Sequence, residues 1–159
     1  MQQLFFTLLA FSLVACATEQ DPLASTDLIP ARIVDLRDYG ENGVAVVLKG
    51  ENSPPVPIII GHCEARALMV AMQDEDFPRP LSYDLLEALL EKLDGTVTRL
   101  VVHSLEDDTF YANLYVETAE QEWVLDCRPS DGMVLATRLG APIYIKPQLF
   151  ERQTPNPQA

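Results

Sequence analysis

Residues 126–131 read Asp-Cys-Arg-Pro-Ser-Asp and gather most of the chemistry the chain offers. Asp126 and Asp131 are carboxylates of the kind that bind a divalent ion or exchange protons. Arg128 between them could clamp a phosphate through two parallel hydrogen bonds, and Ser130 adds a hydroxyl. Glu64 and Arg66 open a second polar point at the start of an expected helix. His62 and His103 are the two histidines; His62 precedes that helix, and His103 sits in a strand-like run. The six residues also have a purely structural reading. Asp126 and Cys127 end a strand, Pro129 suits the first turn of a helix, and Ser130 and Asp131 cap it or complement its dipole. At this level both readings stand.

Other site types are absent from the sequence. No Cys/His spacing matches zinc, no Gly-rich loop cradles phosphate, and no nucleophile elbow occurs. Basic residues are scattered. Eleven Lys and Arg against 24 Asp and Glu give a net charge of −13. Such a surface repels nucleic acid and acidic membranes at long range, so nucleic-acid chemistry would need a local basic patch or a bound metal.

The elements that must position these residues follow from periodicity. Residues 31–38, 44–50 and "VPIIIG" read as three strands, with "YGENG" turning between the first two. His62 to Gln73 is helical, with Ala65, Leu68, Met69 and Met72 at helical spacing. A second helix runs from an N-cap at Ser82 to about Leu93, with Asp84 favouring its start. "TVTRLVVHSL", "FYANLYVE" and "EWVLD" form a three-strand meander, with Asp107 and Asp108 in its first turn. A helix over 129–138 and a strand over 142–145 close the pattern. The helices are grouped, which makes the fold α+β: two β-β-β-α-like halves with mixed or antiparallel sheets packed on grouped helices. A weak repeat at an offset of 64, aligning Cys63 with Cys127, suggests a quasi-two-fold axis.

Leu4 to Ala15 is an uncharged apolar run. At about a dozen residues it is too short to span a bilayer and fits a signal-peptide core. Leu13-Val14-Ala15-Cys16 resembles a bacterial lipobox, in which Cys16 is lipidated and anchors the chain to a membrane. Cleavage after Ala17, giving a soluble periplasmic protein, is the alternative. Residues 17–30 form a polar tether, 31–152 the folded domain and 153–159 a polar tail.

Four stretches, "VPIIIGHCEARALMVAM", "PRPLSYDLLEALLEKLDGTVTRLVV", "DDTFYANLYV" and "DCRPSDGMVLATRLGAPIYI", resemble the bifunctional nuclease family in order and spacing. The resemblance covers about residues 31–150. It implies a compact α+β domain, often oligomeric, that cleaves DNA and RNA. Carried over residue by residue, Glu64, Asp126 and Asp131 become the metal or acid/base carboxylates, with Mg²⁺ or Mn²⁺ as the cofactor. Arg128, Arg79 and Ser130 become substrate contacts. Three positions depart from the family: Tyr83 stands where a His is typical, and Cys127 and Gly132 where Ala is typical. In an exported chain Cys63 and Cys127 could form a disulfide, which needs Cα atoms within about 7 Å; two free thiols are the alternative. The expected function is metal-assisted phosphodiester hydrolysis. The rival is a non-catalytic cell-envelope lipoprotein that binds a protein or small ligand.

Overall fold

The structure is a computed structural model describing residues 27–73 and 77–151. The expected signal segment with Cys16, the tether up to residue 26, the loop residues 74–76 and the tail 153–159 lie outside the described residues.

A first meander comprises β1 (Ile29–Asp38), β2 (Val44–Gly50) and β3 (Val56–Ile60), followed by α1 (His62–Gln73) and α2 (Ser82–Lys92). A second comprises β4 (Thr96–Glu106), β5 (Thr109–Glu117) and β6 (Glu122–Cys127), followed by α3 (Pro129–Arg138). β7 (Ile143–Ile145) and a short α4 (Gln148–Glu151) are the last elements among the described residues, and no sequence pattern marks α4. All seven strands form one mixed sheet in the order β3-β2-β1-β7-β4-β5-β6. β7 lies in the middle, antiparallel to β1 and parallel to β4.

The two β-β-β-α halves are therefore real and share one sheet. β1 and β4 run in opposite directions on either side of β7, and the order reads outward from β1 to β3 and from β4 to β6. That is the arrangement a two-fold axis perpendicular to the sheet produces. The offset between halves is not 64. Ile29 and Thr96 start β1 and β4, 67 residues apart, and His62 and Pro129 start α1 and α3, again 67 apart. Under this correspondence Cys63 matches Ser130, and Glu64 matches Asp131.

α1 and α3 pack together on one face of the sheet, which is why the halves need each other. The core between sheet and helices includes Val46, Leu48, Ile58, Leu68, Leu100, Leu114, Met133 and Ile145. Full burial of a side chain such as Leu68 or Met133 contributes about 1.5–3 kcal/mol. On α1 the buried residues are Ala65, Leu68 and Val70, while Met69 and Met72 are exposed. The β4–β5 turn has Asp107 and Asp108 both at positive φ, the signature of a tight two-residue hairpin, so these carboxylates serve the turn.

α2 packs in an unusual way. Tyr83 and Leu90 pack against the core, while Leu85, Leu86, Leu89 and Leu93 are exposed. Arg138 at the end of α3 pairs with Asp84 and Glu87. The helix cap also differs from expectation: Leu81 is the N-cap and Ser82 the first helical residue. Asp84, at the third helical position, reaches back to accept the Leu81 N–H at 2.5 Å, the carboxylate half of a capping box.

Candidate functional site

The polar centre of the molecule lies where the starts of α1 and α3 converge. Glu64 and Asp131 occupy the same third position of their helices, where a carboxylate offsets the unpaired N–H groups of the first turn. One guanidinium joins them. Arg128 Nη2 lies 3.0 Å from Glu64 Oε1, and Arg128 Nε lies 2.7 Å from Asp131 Oδ2. The second Asp131 oxygen accepts from Arg128 Nη2 at 3.1 Å and from the Tyr83 hydroxyl of α2 at 2.7 Å. Three helices thus meet through four side chains.

Local sequence explains each placement. Pro129 at the first helical position fixes Arg128 in an extended conformation just outside α3, so its side chain can swing over both helix starts. Gly61 precedes α1, and a Cβ there would collide with Glu64 Oε2, so the glycine makes room for the carboxylate to fold back.

The charges of the cluster follow from its geometry. Burial alone would raise the Asp131 carboxyl, but hydrogen bonds from Arg128 and Tyr83 outweigh it and hold the group below its ordinary value. Hydrogen bonding to Asp131 pushes Arg128 further up. Burial and the Asp131 bond push the Tyr83 phenol well above its ordinary range, so it stays protonated and acts as a donor. Tyr83 was visible in sequence only as a departure from the family pattern; its bond to a residue 48 positions away has no local signal.

Asp126 is not part of this cluster. Strand alternation puts Cys127 on the helix side and Asp126 on the other face, beside Asn113 of β5. There its charge acts on His103, whose imidazole is lowered by burial and by Lys146. His62 is turned away, with Nε2 2.9 Å from the Gly40 carbonyl oxygen. Arg79 lies in the exposed loop before α2 and has no carboxylate partner among the described residues. Glu64 and Asp131 are brought together with Arg128 and Ser130; Asp126 and Arg79 are not. Among the described residues no group of three or more His, Cys, Asp or Glu side chains is placed to hold one metal ion. The two carboxylates that do meet are both engaged by Arg128, so the donor set does not fit a preformed metal centre.

The expected disulfide is not formed: Cys63 and Cys127 are free thiols. Cys127 ends β6 and points into the core, 3.2 Å from where a Gly132 Cβ would stand. Burial, then the Asp131 and Asp126 charges, push its thiol up to about 12. Cys63 lies on the exposed side of α1, facing α2.

Two cavities flank the cluster, and Glu64 borders both. One of 510 Å³ lies between the β3 edge, the β4–β5 hairpin and the start of α3, and Arg128 and Ser130 line it. The other, of 630 Å³, lies between α1 and α2, and Cys63, Tyr83 and Asp131 line it.

Residues 46–157 match the bifunctional nuclease domain. The chain belongs to the bifunctional nuclease domain family. It is 32 % identical over 117 residues to Uncharacterized protein Rv1829 of Mycobacterium tuberculosis, covering 72 % of this chain and 70 % of that protein. It is 29 % identical over 119 residues to Bifunctional nuclease 1 of Oryza sativa subsp. japonica and to Bifunctional nuclease 1 of Arabidopsis thaliana. Against those two plant proteins the match covers 72 % of this chain and 36 % of theirs. The matched region contains the whole four-residue cluster and both cavities. At family level the chain is nuclease-like.

Proposed function

We propose that the chain hydrolyses phosphodiester bonds of DNA or RNA at the junction of α1 and α3. The observation that carries this reading is the Arg128 guanidinium shared between Glu64 and Asp131 at two converging helix starts. A phosphodiester oxygen approaching Arg128 would gain charge-assisted hydrogen bonds and the favourable field of both helix N-termini. Glu64, bordering the cavity, is the general base that takes the proton of the attacking water. The water oxygen bonds to phosphorus, the P–O bond to the leaving sugar breaks, and solvent returns a proton to the departing oxygen. Asp131 and Tyr83 are positioning residues that hold Arg128 in place. Among the described residues the carboxylates do not assemble a site for a metal, and these side chains act without one.

Export and anchoring through Cys16 belong to the same proposal and would place this activity in the cell envelope. Replacing Cys16 with Ser should abolish incorporation of labelled fatty acid; incorporation that persists would remove the anchor.

The function is tested by incubating the full chain with single-stranded DNA and RNA in Mg²⁺, in Mn²⁺ and in chelator, beside Glu64→Gln. Cleavage that Glu64→Gln abolishes supports the proposal. Cleavage unchanged by that substitution, or none in any condition, overturns it and leaves the non-catalytic envelope binder as the better account.

A further inference from the structure

We infer that the 510 Å³ cavity is a binding site for a single nucleotide, with its phosphate at Ser130 and its base against Phe110. This rests on the hydrolase reading and deepens it, because it makes the substrate a single strand presenting one unstacked nucleotide.

Ser130 carries the inference. Among the described residues it is the one buried polar residue, at 6 % exposure. Its side chain has no hydrogen-bond partner among the described residues, yet no side-chain polar atom there is both sealed from solvent and unpaired. The hydroxyl therefore opens onto the cavity that Ser130 lines. A serine kept in such a place, in a helix start surrounded by core, has an unused donor and acceptor.

The surroundings supply the rest of an anion site. Gly61 and Glu64 bring the start of α1 to the cavity wall, and Arg128, Pro129 and Ser130 bring the start of α3. Both helices are long enough for their dipoles to act, at 12 and 10 residues. At this end of the cavity an oxyanion meets the Ser130 hydroxyl, unpaired helix N–H groups and the Arg128 guanidinium. The other end offers the apolar side chains of Ile59, Leu105 and Phe110, with Asp108 and Thr109 of the hairpin at its rim. A flat ring with an anionic end fits that polarity, and bases stack on aromatic side chains without regard to sequence. The volume lies in the range of small-ligand sites, about 300–1,000 Å³. An intact duplex, whose bases are paired and stacked, has no such group to offer.

The test is calorimetric titration of the full chain, in chelator, with adenosine 5′-monophosphate, adenosine and inorganic phosphate. Adenosine monophosphate should bind at least tenfold more tightly than either fragment. Ser130→Ala should weaken it at least tenfold. Phe110→Leu should weaken it while leaving phosphate binding unchanged. Equal affinity for the monophosphate and phosphate, wild-type affinity in Ser130→Ala, or no binding of any probe would overturn the inference. Because the assay needs no turnover, the two readings fail separately. Ser130-dependent binding without strand cleavage would remove the hydrolase and keep the site. Cleavage without nucleotide binding would do the reverse.

Discussion

Arg128 stands 3.0 Å from Glu64, joining the start of the second half's helix to the start of the first half's helix. The same guanidinium holds Asp131, the position equivalent to Glu64 in the other half. A quasi-symmetric pair of carboxylates near one axis would repel each other; a single cation between them relieves that repulsion. The arrangement makes Arg128 both the joint of the two halves and the one cation at the centre of the site.

Arg128→Gln should separate these roles. The side chain is 66 % exposed, and an exposed ion pair contributes at most about 1 kcal/mol. Thermal unfolding should therefore shift little, while strand cleavage should fall at least about 100-fold, the scale of a lost charge-stabilising contact. A large loss of stability with activity retained would make Arg128 a structural residue.

Tyr83→Phe removes one hydrogen bond to Asp131 and should cost about 0.5–1.5 kcal/mol by chemical denaturation. It should also change acid unfolding. The folded Asp131 carboxyl sits below its ordinary value of 3.8, so its contribution is present above that pH and lost as pH falls through the folded value. Without the Tyr83 donor the folded value rises, and acid unfolding should begin at a higher pH. An identical acid limb in the variant would show that the bond contributes nothing.

The two thiols should react very differently. In a Cys16→Ser background Cys63 should react quickly with a thiol reagent, and Cys127 only on unfolding. Because the Cys127 thiol is raised from 9.0 to about 12, its stabilising effect is complete below pH 9 and is lost as pH climbs towards the folded value. Absence of free thiol without reductant would contradict this placement of the cysteines.

Gly132→Ala would normally favour a helix, but here the added methyl would meet the Leu100 Cδ1 methyl in the core. Overpacking should destabilise by about 1–3 kcal/mol, measured as a shift in the denaturant midpoint at unchanged slope. A gain in stability would mean that Leu100 moves aside freely.

Much of the fold was legible because its signals are local. Strand alternation and helical spacing gave α1 and α3 their observed limits, and Pro129 marked the α3 start. Relations that depend on tertiary packing were not. The identity of Cys63 and Cys127 suggests an alignment of the repeat but conceals that one sits in a helix and the other ends a strand. Proximity in sequence suggests that Asp126 belongs with Asp131. The period-two alternation of β6, which sends neighbours Asp126 and Cys127 to opposite faces, was the available signal against that grouping. Tyr83 and Arg138 meet their partners from separate elements, and no short-range pattern could announce them.

The most direct measurement compares strand cleavage by the full chain with that by Glu64→Gln and Asp126→Asn. The account predicts a loss of at least about 100-fold for Glu64→Gln, as expected for removal of a general base. It predicts a rate within about threefold of wild type for Asp126→Asn, whose carboxylate lies across the sheet and outside the reaction. Equal losses in both, or a loss in Asp126→Asn alone, would contradict the assignment of the site to the Glu64–Arg128–Asp131–Tyr83 cluster.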